Sequence, residues 1–211
     1  MTTKRPRKKT GLSMRNDLLM NEINQVSEII LASGSPRRLA LMEQVGIPCR
    51  VVVSNADETI SGEPDFQVRA LALRKAEAVR GMIASDAVII AADTLVYVDG
   101  KVLGKPETAQ DAFDMLATLR GREHTVYTGV AVLTGTGSRV FVDSTKVYFR
   151  DMLDAELWEY IATGEPFDKA GAYGVQDRGA LLVDRVEGDY FTVVGLPIAK
   201  VAVALRELGA I

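Results

Sequence analysis

One cysteine, one histidine and one tryptophan are all that the 211 residues contain of those types, and aromatic residues make up only 6% of the chain. A lone Cys49 excludes an intrachain disulfide and is the usage expected of a reducing compartment, so a cytoplasmic setting is expected. The lone His124 has no second histidine or nearby cysteine, which argues against a zinc site and for a hydrogen-bonded structural role. No apolar run approaches the roughly 18 residues that a spanning helix requires, so no membrane partner is expected. Residues 1–27 lack the apolar stretch of a secretory leader, and Met14 or Met20 is an alternative start. Internal repeats are absent too.

Charge is present but uneven. Residues 1–27 hold six Lys or Arg against two acids, while the chain as a whole carries −3. A mobile basic arm over 1–27 on an acidic globular domain over 28–211 is expected, and an acidic body is a poor core for nucleic-acid binding. An apolar content of 47% with 25% charged residues is that of an ordinary globule able to bury a sizeable core.

The stretch around which the domain is organised is Ile29-Ile30-Leu31-Ala32-Ser33-Gly34-Ser35-Pro36-Arg37-Arg38. Its apolar start suits a buried strand, and Ser33-Gly34 suits a turn that backbone can use to approach a ligand. Ser35 reads as an N-cap and Pro36 as a first helical residue. Leu39, Met42 and Val45 then form one helical face before Gly46. Arg37 and Arg38 fall in the first helical turn, where the macrodipole disfavours cations, and an anion would relieve that conflict. Free N–H groups, hydroxyls and two guanidiniums suit a polyphosphate, although two solvated arginines would look the same in isolation.

Further along, a short strand over 49–53 leads to Asp57-Glu58, and a helix capped by Asp65 is expected to run to about Ile83. Val68, Leu71, Ala72, Val79 and Met82 form its inward stripe, and Lys75 lies on that stripe, either snorkelling or serving as an inward ligand. The apolar run 87–92 reads as a strand covered on both faces that delivers Asp93-Thr94 at its end. Asp99-Gly100 marks a hairpin, and a helix over 109–119 follows Gly104-Lys105-Pro106. Strands are expected over 124–133 and 139–149, then a short helix containing Leu157. Residues 168–176 combine a carboxylate, an ammonium, two glycines, an aromatic ring and an amide. Gln176 there can both donate to and accept from a nucleobase edge. Segments 181–186 and 190–194 read as a second hairpin before a final helix.

Taken together, Leu31 to Arg38, Ala92-Asp93-Thr94, Leu103-Gly104-Lys105-Pro106, Asp168 to Gln176 and Val194-Gly195-Leu196-Pro197 resemble the motifs of the Maf family of nucleoside triphosphate pyrophosphatases. The resemblance covers the chain from about Ile29 onward and leaves the basic arm outside. It implies an α/β fold: an elongated mixed sheet with flanking helices, in two lobes around a central cleft, similar to inosine triphosphate pyrophosphatases. It further implies a homodimer and hydrolysis of a nucleoside triphosphate to monophosphate and pyrophosphate with Mg²⁺ or Mn²⁺. On this resemblance Asp93 is the proton acceptor, and Arg38, Thr94 and Gln176 tune substrate choice. Ser33, Arg37, Lys75, Lys105 and Lys169 would bind phosphate, and Glu58, Asp93 and Asp168 would hold the metal. The Gly171 to Gln176 loop looks like that of the branch acting on dTTP and UTP. Asp177 stands where a small residue such as glycine is expected. Two readings remain beside this one: the same chemistry on a modified nucleotide, and a non-catalytic nucleotide-binding regulator of cell division.

Overall fold

The computed structural model describes residues 27–83 and 86–211, so the expected basic arm, Ser27 apart, lies outside the described residues. In chain order the elements are β1 (Ile29–Leu31), α1 (Pro36–Gln44), β2 (Arg50–Val51), α2 (Pro64–Met82), β3 (Val88–Val98) and β4 (Lys101–Leu103). They continue with α3 (Ala109–Leu119), β5 (Glu123–Leu133), β6 (Ser138–Phe149), α4 (Asp154–Ile161), β7 (Val183–Glu187), α5 (Tyr190–Val194) and α6 (Ile198–Glu207). The strands form one mixed sheet of seven, in the order β2-β1-β3-β5-β6-β7, with β4 attached to β3. β1 is parallel to β2 and β3, and the other pairings are antiparallel. The expected mixed α/β sheet is borne out. Among the described residues no helix is long and apolar enough to cross a membrane.

Period-two alternation along β3 sorts its side chains between two layers. Ile89 and Ala91 pack with Ala72, Ala76 and Val79 of α2, and Ile90 and Ala92 pack with Leu41 and Met42 of α1 and Val201 and Leu205 of α6. Farther along the same strand, Val96 and Val98 join a separate core with Val126, Phe149, Leu116 of α3 and Leu157 of α4. The long strand therefore borders three apolar clusters, two on opposite faces of its first half and one along its second half. Asp93-Thr94 lies between the two halves.

Four local expectations change. Asp93-Thr94 is in the middle of an unbroken strand, because Asp93 pairs with Gly129 and Thr94 with Thr128 on β5, so the ladder continues through the polar pair. Segment 190–194 is the helix α5 rather than a strand, since the Asp189 side chain accepts from Phe191 N and Gly195, at φ 111°, stops the turn in the left-handed region. Val45 and Met82, expected inward, are 46% and 53% exposed because each sits at a helix end. The hairpin turn matches the reading. Asp99 and Gly100 both take positive φ, 49° and 79°, as a two-residue hairpin turn requires. Asp65 does not cap α2: Glu63 is the N-cap, and Asp65 Oδ1 instead accepts from Phe66 N.

Candidate active site

The alternation that sorts the core also sorts the chemistry. Asp93 continues the β3 face turned to α2, and Thr94 continues the face turned to α1. Asp93 Oδ1 accordingly accepts from Lys75 Nζ at 2.7 Å, and Thr94 Oγ1 accepts from Arg38 Nη2 at 3.0 Å. The Lys75 and Asp93 side chains are each 13% exposed. Lys75 lies on the inward stripe of α2 as expected, and its approach depends on Gly129. A Cβ at Gly129 would stand 2.2 Å from the Val68 carbonyl oxygen, so only glycine lets α2 lie this close to β5. The same ammonium reaches Glu58 Oε1 at 2.9 Å. Burial pushes the Glu58 carboxyl up, but the hydrogen bond and charge of Lys75, with Lys105 and Arg38 behind it, hold it below the usual range.

Arg38 is enclosed by its own corner. Nε donates to Gly195 O at 2.7 Å, and Nη1 donates to Ala92 O at 2.8 Å and Ser33 Oγ at 3.1 Å. With Nη2 on Thr94, one N–H of the guanidinium is left for anything in the cleft. Burial pulls the Arg38 pKa down, Asp93 and Glu58 oppose that, and Arg37 adds to it. Arg37 is directed differently: its Nη1 meets Asp168 Oδ2 at 2.8 Å, while Asp168 Oδ1 takes Lys169 Nζ at 2.8 Å. Burial would raise the Asp168 carboxyl, yet Lys169 and Arg37 together hold it low.

Behind this pair, two phenols fix the 168–176 loop. Tyr173 Oη meets His124 Nε2 at 2.6 Å, and Gly174 N donates to Tyr160 Oη at 3.3 Å. His124 is thus the hydrogen-bonded structural residue expected, and burial pushes its pKa down to about 4. The Gln176 amide lines the cleft and has no hydrogen-bond partner among the described residues. The next residue, Asp177, takes φ 52°, which explains why a glycine suits that position.

A cleft of about 420 Å³ brings these groups together. Arg37, Arg38, Glu58, Lys75, Asp93, Thr94, Lys105, Asp168, Lys169 and Gln176 all line it. Ser33 lines an adjoining hollow of about 300 Å³ that shares Arg37, Lys75 and Lys105. The cleft is within the usual size of a small-molecule site. Its polar end carries the cations, and Val96, Val102, Leu103, Tyr173 and Val193 supply an apolar wall. Among the described residues no three of His, Cys, Asp and Glu gather as a metal cluster. Glu58 and Asp93 do converge on one ammonium. Two such carboxylates, completed by phosphate oxygens and water, are a donor set that suits a hard divalent ion. Sequence reasoning passed over Gly129, Thr128 and Thr192. Their only signal is position, since each looks like an ordinary strand or loop residue until register and packing are known.

Fold and cleft together define an α/β protein with a small-molecule site of dense positive charge set among three carboxylates, a site made for a polyanion. A family model described as Maf-like protein matches residues 28–208, and the chain belongs to the Maf family. Its curated relatives include the dTTP/UTP pyrophosphatase of Geobacillus sp. (strain WCH70), 47% identical over 87% of this chain and 100% of its own length. The dTTP/UTP pyrophosphatase of Moorella thermoacetica (strain ATCC 39073 / JCM 9320) is 48% identical over 87% and 96%. That of Caldicellulosiruptor saccharolyticus (strain ATCC 43494 / DSM 8903 / Tp8T 6331) is 44% identical over 87% and 96%. Among solved structures, the Staphylococcus aureus Ham1 protein aligns over 59% of this chain and 73% of its own, with TM-score 0.44 and 16% identity.

Proposed function

We propose that this chain is a nucleoside triphosphate pyrophosphatase that converts dTTP and UTP to their monophosphates and pyrophosphate, in keeping with its dTTP/UTP pyrophosphatase relatives. The observation that carries the reading is Lys75 held between Glu58 and Asp93 in a cleft that Arg37, Lys105 and Lys169 also enter. Arg37, Lys105 and Lys169 neutralise the triphosphate, and the apolar wall with Gln176 takes the nucleoside. Arg38, through its remaining N–H, and Thr94 discriminate between bases. Ser33 supports the phosphate end through its bond to Arg38.

Lys75 occupies one Asp93 oxygen, and the other has no hydrogen-bond partner among the described residues. That oxygen orients a water against the α-phosphorus and takes its proton. The new P–O bond forms as the bond from the α-phosphorus to the bridging oxygen breaks. The electron pair leaves with pyrophosphate, whose charge the cations stabilise. Glu58 and Asp93 would hold a Mg²⁺ or Mn²⁺ ion, which when bound lowers the pKa of water and offsets phosphate charge. Asp168, engaged by Arg37 and Lys169, contributes through water or by releasing Arg37 to the substrate. A homodimer and a cytoplasmic setting complete the reading, and a single cysteine is the usage that setting favours.

Asp93→Asn is the test. General-base loss costs about 10²–10⁴-fold in rate, so turnover should fall by about 10³ while a non-hydrolysable nucleotide still binds within about tenfold of normal. Near-normal turnover would remove Asp93 from this role.

A further inference from the structure

Thr94, Thr128 and Asp143 stand side by side on β3, β5 and β6, paired as Thr94 with Thr128 and Thr128 with Asp143. Residues paired in this way point from the same face of a sheet. Thr128 is fully buried and does not line the cleft. Its hydroxyl donates to the Thr192 carbonyl at 2.8 Å. A hydroxyl has one proton, so in the 2.9 Å contact between Thr94 and Thr128, Thr94 is the donor. That turns the Thr94 proton away from Arg38 and leaves its lone pairs for Arg38 Nη2.

The second bond of Thr128 leads to the other end of the same guanidinium. The Thr192 carbonyl also receives Gly195 N at 3.2 Å, and the Gly195 carbonyl receives Arg38 Nε at 2.7 Å. The short helix α5, which carries Thr192 and ends at the cap Gly195, is fastened from below. Thr192 Oγ1 donates to Asp143 Oδ2 at 2.6 Å, and Thr145 Oγ1 donates to Asp189 O at 3.0 Å. Burial pushes the Asp143 carboxyl up, but Lys200 and Thr192 outweigh it, so it stays an ionised acceptor.

We infer that Thr128 is a positioning residue for Arg38: one buried hydroxyl orients Thr94 and carries α5, and so sets the direction in which the last free N–H of Arg38 meets the nucleotide. This rests on the pyrophosphatase reading and extends its specificity machinery beneath the cleft, to a residue that touches no substrate.

The test is a ratio. Thr128→Val removes the hydroxyl at nearly constant shape, and Thr128→Ser keeps the hydroxyl while removing a methyl. For the wild type and both variants, kcat/KM for pyrophosphate release is measured with UTP and with GTP. Loss of folded enzyme scales both nucleotides equally, so the UTP/GTP ratio reads the aim of Arg38 and a merely structural role leaves it unmoved. The ratio should fall about tenfold in T128V and stay within about twofold of wild type in T128S. An unmoved ratio in T128V, or an equal collapse in T128S, overturns the inference. Should T128V not fold, Thr128→Cys is read by the same two outcomes. Wild-type protein that releases no pyrophosphate from either nucleotide overturns the pyrophosphatase reading and this inference with it. A selective wild type with an unmoved T128V ratio overturns the inference alone.

Discussion

A single methyl group added at Gly129 should damage catalysis from a position outside the cleft. Its Cβ would lie 2.2 Å from Val68 O, 2.4 Å from Val68 C and 2.7 Å from Arg69 N, all backbone atoms that no side-chain rotation can clear. Ordinary Cβ contacts begin at 3.4 Å, so α2 must retreat from β5 by about 1 Å. Overpacking of this kind costs about 1–3 kcal/mol, or roughly 2–12 °C in Tm for a domain of this size. The larger effect is on Lys75, two turns along the same helix, whose ammonium is drawn away from Asp93 and Glu58. A displacement of about 1 Å in a positioning group is worth about 10²-fold in rate. Calorimetric unfolding of Gly129→Ala gives the first number. Initial rates of pyrophosphate release, taken well below the lowered Tm so that the protein is fully folded, give the second. A Tm within 1 °C and a kcat/KM within about twofold of wild type would refute the claim that this close approach places Lys75.

Two other substitutions probe separate parts of the account. Glu58→Gln should raise the Mg²⁺ or Mn²⁺ concentration needed for half-maximal turnover by about tenfold and leave Tm nearly unchanged, because the Glu58 side chain is 63% exposed; titration of the metal against rate checks it. His124 is buried neutral with its pKa pushed from 6.5 to about 4, so the unfolded chain binds the extra proton between those values. Stability from this group is complete above pH 6.5 and is lost as pH falls toward 4, by about 3 kcal/mol in all. Tm measured across that window should drop less steeply in His124→Gln than in the wild type.

What the sequence discloses of this molecule follows from how local each signal is. The Asp99-Gly100 turn was legible because a two-residue hairpin needs positive φ at both central positions and those residues tolerate it. Lys75 was legible because a lysine on an apolar helical stripe has to find a partner, which proves to be Asp93 and Glu58. Residues 190–194 were misread because Tyr-Phe-Thr-Val-Val has the composition of a strand, and the cap from Asp189 and anchors on β5 and β6 decide otherwise. The place of Asp93 within its strand was hidden for a related reason. A polar pair looks like a strand end until the facing Gly129 and Thr128 show that the ladder continues. Thr128 carried no signal at all, since its meaning lies in register with Thr94 and in a carbonyl 64 residues away.

The most direct test of the central claim is a panel of the common nucleoside triphosphates incubated with the purified chain and Mg²⁺ or Mn²⁺, with pyrophosphate and orthophosphate measured separately. The account predicts that pyrophosphate and the nucleoside monophosphate appear in equal amounts, fastest from dTTP and UTP, and that chelation of the metal stops the reaction. Release of orthophosphate in place of pyrophosphate, or tight binding of these nucleotides with no cleavage under either metal, would contradict it.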